Sequence, residues 1–275
     1  LLAGRAFSFE LFPFSPLELG DKFDLNKYLS YGGLPAHSNL ENQEDINLYL
    51  KSYISTYLKE EILAEQIVRN LKPFRLFLDI AAQMNAKILN YSKIGQDIGA
   101  DTKTVQNYFE ILRDTHIGII LASHDESLRK RQRKNPKFYY FDTGVTRSLN
   151  RRLNFSLVES TFEYGDLFEQ FIVLELHRLN SYFSLDFQFS YLKTNNDLEI
   201  DVIIDRPSLP KAYIVIKSSR HVTHSDLNNI ISIKKADPKG EYFCLSNDLN
   251  NQKIEGISVL HWKMGLTELG FKTSG

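Results

Sequence analysis

The chain has a single cysteine, Cys244, which excludes an internal disulfide and leaves no thiolate set for a structural zinc site. Within "EYFCLS" it reads as a small apolar core residue. No stretch of about 18 apolar residues occurs, so no membrane-spanning helix is expected. The opening "LLAGRAFSFELF" also lacks a cationic segment leading into a long apolar one, which makes the cytosol the expected compartment. An excess of one charge is missing too: 33 Lys and Arg stand against 34 Asp and Glu. No overall field steers the protein toward nucleic acid, and any such contact must be local. Internal repeats and low-complexity tracts are absent. Of seven histidines only His221 and His224 are close, without a third ligand, so no metal site is expected there.

What is present suits a globular chain of two-domain length, with 275 residues of which 43% are hydrophobic. Phe7, Phe9 and Leu11 alternate with Ala6, Ser8 and Glu10, the period of a half-buried strand, and Pro13 and Pro16 end it. A strand this short needs partners, so sequence before Leu1 is expected. After the turn chemistry of "YGGLPA", Ile46, Leu50, Tyr53 and Tyr57 recur at helical spacing, and "PFRLFLDIAAQM" continues with Pro73 in a first turn. Tyr53 and Tyr57 read as helix packing.

A helix–turn–helix follows. A short helix ends at Gly99, Asp101 is an N-cap, and Val105, Tyr108, Phe109 and Leu112 line one face of the next helix. An apolar strand, a charged loop and an aromatic strand come after it, so residues 70–150 read as a winged helix. From residue 161 the order is α, β, β, β, α, β, β. The expected fold is mixed α/β: an N-terminal helical and winged-helix region, then a restriction-endonuclease-like αβββαβ domain over 151–275.

The stretch "LEIDVIIDRPSLPKAYIVIKSS" carries the candidate chemistry. Strand alternation places Glu199, Asp201 and Asp205 on one face, with Leu198, Ile200, Val202 and Ile204 on the other. Val215 and Lys217 share a side of the next strand. An Asp on one strand and a charged pair on the next is the layout of a PD-(D/E)xK phosphodiesterase, where carboxylates hold Mg²⁺ and a lysine stabilises charge at phosphorus. Here Val215 replaces the second carboxylate, and a hard cation does not bind through valine. Glu199, or Glu169 and Glu175 from the preceding helix, are the candidate substitutes. Otherwise Asp201 and Lys217 form an ordinary cross-strand ion pair. The pattern thus points to a relic whose catalytic positions are Asp201, Lys217 and Glu169.

Taken in order, "LAGRAFSFELFPFSPLE", "YGGLPA", "YISTYLKEEI", "DTKTVQNYFEIL", "NPKFYYFDTGV", "GDLFEQFIVLEL", "LEIDVII" and "IVIKSS" resemble one family. It is that of predicted prokaryotic AAA+ ATPases with an uncharacterised C-terminal, restriction-endonuclease-like domain. The resemblance implies that residues 1–36 are the end of an AAA+ core, followed by a helical and winged-helix region over 37–150. It further implies a phosphate-sensing or arginine-finger role for Arg5 in an intact protein, and that Glu169 and Asp201 match the family's nuclease-like pattern. That pattern usually has Glu-x-Lys where this chain has Val215-Ile216-Lys217. No GxxxxGK[ST] loop occurs, so no cofactor is expected in this chain; ATP with Mg²⁺ is expected for the full-length protein.

"RKRQRKNPK" places Arg129, Lys130, Arg131, Arg133, Lys134 and Lys137 within nine residues, able to reach phosphates from a wing, with Asp125 and Glu126 nearby as partial neutralisers. On the recognition-type helix Lys103, Gln106 and Asn107 are the candidate DNA contacts, beside Glu110 and Arg113. Duplex DNA is therefore the expected partner, with a protein partner or self-association through an AAA+ core as the alternative. The competing functions are a nuclease with relocated ligands and a pure protein-interaction module.

Overall fold

A computed structural model describes residues 9–58, 71–125, 134–194 and 197–271. The fold is mixed α/β, with helices dominating the N-terminal half and, among the described residues, one nine-stranded mixed sheet whose last six strands lie in the C-terminal part.

The described chain enters without a strand. Residues 9–14 are irregular, and Phe9 and Leu11 are 85% and 92% exposed. This corrects the expected N-terminal strand over its described part: alternation alone does not make a strand without a neighbouring edge to pair with. Residues 1–8, including Arg5, lie outside the described residues. The first helices follow, α1 (Pro16–Leu19), α2 (Leu25–Tyr31) and α3 (Gln43–Ser52), and a π-helical turn over Tyr53–Leu58 continues α3. Tyr53 packs against Tyr49 and Phe141, as its helical spacing suggested.

Next come α4 (Leu71–Gln83), β1 (Lys87–Ile88), α5 (Tyr91–Ile98) and α6 (Thr102–Asp114). Gly99 ends α5 in the left-handed conformation, and the Asp101 carboxylate accepts the Thr104 N–H at 2.8 Å to start α6. Val105, Tyr108, Phe109 and Leu112 are all buried, so α6 turns its expected apolar face to the core. The hairpin is β2 (Gly118–Ser123) with β3 (Lys137–Tyr140), and β1 adds to the other edge of β3.

After α7 (Thr143–Leu149) the 21-residue α8 (Phe162–Tyr182) crosses the sheet, buried along most of its length. Then follow β4 (Gln188–Lys193), β5 (Glu199–Asp205), β6 (Ala212–Lys217), α9 (Asn228–Ala236), β7 (Glu241–Ser246), β8 (Gln252–Ile254), β9 (Ile257–His261) and α10 (Trp262–Glu268). The sheet order is β1-β3-β2-β4-β5-β6-β7-β9-β8. The seam is the parallel pairing of β2 with β4, at Ala122↔Ser190 and Ser123↔Tyr191. Through it one sheet runs across the 150/151 boundary. A shared core spans it as well, since Tyr28, Leu121 and Tyr139 pack with α8 and the strands behind it.

A buried polar network locks α8 to the hairpin half. Asn85 donates to Gln170 Oε1 at 3.0 Å and accepts from the Tyr140 N–H, while Gln170 donates to the Tyr140 carbonyl and to Thr146 Oγ1. Every nitrogen and oxygen of the two side-chain amides is engaged, so the network fixes how α8 sits on β3. Cys244 is buried and its thiol is pushed up to about 12 by burial, in keeping with a packing role. No described helix is long and apolar enough to cross a membrane.

Candidate functional site

The expected strand alternation fails at the residue that matters. Ser190 of β4 opposes Ile203, but Leu192 opposes Ile200, so Asp201 and Val202 together stand opposite Tyr191. This is a β-bulge, one extra residue in β5, and it shifts the side chains beyond it to the other face. Ile200 and Ile203 therefore pack under α9, while Val202 and Ile204 pack under α8. The single-face assignment of Ile200, Val202 and Ile204 is thus corrected. The bulge also turns Asp201 toward the edge of β6, where its Oδ2 accepts the Ile216 N–H at 2.7 Å.

Val215 is 4% exposed and belongs to the α9 layer, with Cys244 and Ile200. Lys217 has the same strand parity. The cross-strand ion pair expected between Asp201 and Lys217 is not the one that forms: the ammonium that meets Asp201 is Lys137 Nζ, 3.8 Å from Oδ1. Lys217 acts on Asp201 only through space, lowering its pKa as it does that of Asp226.

Lys137 is the centre of the site. It opens β3 and is 2% exposed, so it does not stand on a basic wing, which corrects its inclusion in that patch. Its Nζ lies 3.0 Å from Glu169 Oε1 on α8 and 2.7 Å from Glu199 Oε1 on β5. Tyr139, two residues on and hence on the same side of β3, donates its hydroxyl to Glu169 Oε1 at 2.7 Å. The Tyr191 ring closes another side, 5.7 Å from the ammonium. At the rim Lys193 Nζ is 3.4 Å from Glu199 Oε2. Of the three predicted nuclease-like positions, the structure brings Glu169 and Asp201 together and leaves Lys217 apart. Glu175 is remote, paired with Arg178 at 2.9 Å, and Asp205 lies 3.8 Å from Lys211.

The electrostatics follow from burial and this crowding. Burial works against the Lys137 charge, but the Glu169, Asp201 and Glu199 carboxylates outweigh it and raise its pKa. Burial pushes Glu169 up to about 7, with Lys137 opposing. Burial likewise raises Asp201, against Lys137 and the Ile216 N–H. Glu199 is brought below the ordinary value, because Lys137 and Lys193 outweigh its burial. The cup thus holds a permanent cation, one readily ionised carboxylate, and two carboxyls that resist ionisation.

A divalent cation does not fit this arrangement. Ligand oxygens must converge at 2.0–2.6 Å on an ion, and the point on which Glu169, Glu199 and Asp201 converge is an ammonium. Among the described residues no group of three or more His, Cys, Asp or Glu side chains is arranged to hold a metal ion.

The candidate nucleic-acid contacts are separate from the cup. Lys103, Gln106 and Asn107 are exposed along the outer face of α6. Beyond them Arg113 is tied to Glu110 and, at 2.9 Å, to Asp114, so the C-terminal end of that face is internally neutralised. Lys134 is 3.4 Å from Asp125, the neutralisation expected for this loop. Arg129, Lys130, Arg131 and Arg133 lie outside the described residues.

Two family profiles match successive parts of the chain: a domain of unknown function (DUF8612) over residues 22–156 and a domain of unknown function (DUF4143) over residues 164–264. Uncharacterised proteins of Mycobacterium bovis and Mycobacterium tuberculosis are each 23% identical over 218 residues, covering 79% of this chain and 48% of the relative. An uncharacterised protein of Methanocaldococcus jannaschii is 23% identical over 185 residues, covering 66% of this chain and 39% of the relative. The chain thus spans half or less of the length of these relatives. No solved structure matches it.

Proposed function

We propose that this chain is the C-terminal, substrate-binding part of a cytosolic AAA+ ATPase, and that it holds duplex DNA without cutting it. The observation that carries the non-cleaving part is the Lys137 ammonium, 3.0 Å from Glu169 and 2.7 Å from Glu199, on the spot where a nuclease of this layout needs its cation. Lys137 comes from the winged-helix-like half and plugs the nuclease-like half, so the cup is a structural junction.

Three features support the rest of the reading. The order α4, β1, α5, α6, β2, β3, with β1 pairing to β3, is compatible with a winged helix. Its third helix, α6, exposes Lys103, Gln106 and Asn107, side chains suited to phosphates and adenine edges. The DUF4143 match favours an AAA+ association, because that domain is commonly found with AAA-type ATPase domains, and the relatives are about twice as long as the matched region. ATP and Mg²⁺ belong, in this reading, to a part of the protein that carries the phosphate-binding loop.

The test is fluorescence anisotropy of a labelled 30-base-pair duplex against salt, run beside a plasmid-nicking assay in Mn²⁺ and Mg²⁺. Binding with a log–log salt slope of several units, shallower by about 0.9 for each phosphate contact removed in Lys103→Ala or in Arg131→Ala with Arg133→Ala, supports the reading. Nicking that Asp201→Ala abolishes overturns it in favour of a nuclease with relocated ligands. Neither binding nor nicking overturns it in favour of a protein-interaction module.

A further inference from the structure

Away from the cup, α1, the turn Gly20–Lys22 and α10 enclose a cavity of about 360 Å³ against α8. Glu175 and Leu179, one helical turn apart on α8, line it from that side. Leu17, Trp262, Met264 and Leu266 supply further apolar wall. Trp262, Leu179 and Leu266 are buried, whereas Leu17 and Met264 are partly open to solvent. The volume falls within the usual range for small-molecule pockets.

The walls are set by packing that needs no ligand. Ser15 donates its N–H and its hydroxyl to Glu18, each at 2.8 Å, which caps α1 and engages the Glu18 carboxylate there. Gly265 lets α10 lie close on β7, since an added Cβ would run into the Leu245 side chain. On the same helix Trp262 packs edge-on against Phe171 of α8, with ring centroids 5.0 Å apart.

Glu175 is the chemically informative member, a carboxylate only 2% exposed that still lines the cavity. Its Oε2 accepts from Arg178 Nη1 at 2.9 Å. Its Oε1 has no hydrogen-bond partner among the described residues, and it is not sealed from solvent. Arg178 does not fork onto both oxygens: its Nη2 donates to the Tyr28 hydroxyl at 3.2 Å, and its Nε is buried with no partner. Burial pushes Glu175 up to about 7 against the pull of Arg178, and the Glu18 charge adds to the rise. One guanidinium therefore leaves this carboxylate short of positive charge.

The other charged groups agree in sign. Asp21 lines the cavity and Glu18 lies near it, so acids outnumber the two bases, Arg178 and Lys263. Lys263 is held over the rings of Phe23 and Trp262, 5.4 Å from each centroid. A bare divalent ion needs a shell of oxygen ligands that these apolar walls do not offer. A cation that carries its own apolar body matches both the free oxygen and the walls.

We propose that this cavity binds a small primary amine in its ammonium form, with an alicyclic body of cyclohexyl size, its N–H donating to Glu175 Oε1 and its body against Leu179, Trp262 and Leu266. The inference stands apart from the DNA reading and survives its failure.

Trp262 is the single tryptophan of the chain, so its emission reports on the cavity. The experiment titrates cyclohexylamine, and separately cyclohexanol, into the full chain at pH 8 and follows that emission. The amine should change it saturably, and the alcohol, alike in shape but uncharged, should bind about ten-fold more weakly, because a charged donor gains more on a carboxylate than a neutral one. Glu175→Gln should bring the amine down to the affinity of the alcohol. Equal affinity of the two probes for the wild-type chain, no saturable change with the amine, or a preference that survives in folded Glu175→Gln overturns the proposal. The wild-type comparison needs no variant to fold.

Discussion

Replacing Lys137 by Met removes the ammonium while keeping the apolar stem, and leaves Glu169, Glu199 and Asp201 facing one another. Breaking a buried ion cluster by deleting one partner costs about 3–5 kcal/mol. The carboxylate side chains retain 18%, 28% and 16% exposure, so water screens part of the repulsion, and the lower end, about 3 kcal/mol at pH 8, is the expected loss. The loss should depend on pH with a definite sign. Glu169 is pushed up to about 7 when folded, from 4.5, so between those values the folded state holds a proton that the unfolded state has released. Its contribution to stability therefore grows as pH falls from about 7 toward 4.5. Lys137 at present lowers that pKa, so in Lys137→Met it climbs further and acidification relieves more of the repulsion. Urea unfolding followed by circular dichroism should show the difference between variant and wild type shrinking from pH 8 to pH 5.5. Lys137→Met with Glu169→Gln should be less destabilised than the single variant at pH 8. A single variant within 1 kcal/mol of wild type, or a loss that does not change with pH, would refute the reasoning.

Other substitutions probe the parts around the cup. Gly32 has φ +77° and an added Cβ would run into the Asp142 carboxylate, so Gly32→Ala should lower stability by about 2 kcal/mol or more in the same urea assay. Asp101→Ala removes the N-cap of α6 and should lower the midpoint of thermal unfolding, with duplex affinity falling only in proportion to fraying of that helix. Leu112→Ala, at a fully buried position of α6, should cost about 2–5 kcal/mol by thermal unfolding. Gln106→Ala, at an exposed position, should leave stability within about 0.5 kcal/mol while changing which duplex sequences are preferred in a binding selection.

Local signals were the most legible in the sequence. Asp101, Gly99 and the Val105–Leu112 stripe announced α6 because caps and helical periodicity depend on neighbours in the chain. The αβββαβ order was legible for the same reason. Lys137 was not. It sits last in a run of six basic residues, and nothing in the run distinguishes the one that enters the core from those that stay in water. Its neighbours Phe138, Tyr139 and Tyr140 are the one hint, since the whole of β3 is buried and any lysine within it needs a carboxylate. Glu199 and Asp201 were visible as acids on one strand, but the bulge at Asp201 and Val202 is set by the register with β4, a contact between strands. The N-terminal alternation misled for the opposite reason: Phe9 and Leu11 have the period of a strand and, in the described chain, no edge to join. Val215 was read as offering no ligand, and the consequence drawn from it, a pair between Asp201 and Lys217, missed the lysine that arrives from another part of the sheet.

The most direct test of the central claim is Mn²⁺ binding followed by electron paramagnetic resonance on the wild-type chain and on Asp201→Ala. With the Lys137 ammonium filling the cup, the two proteins should leave the same amount of free Mn²⁺ in solution. A site on the wild-type chain that captures Mn²⁺ and disappears in Asp201→Ala would contradict the account.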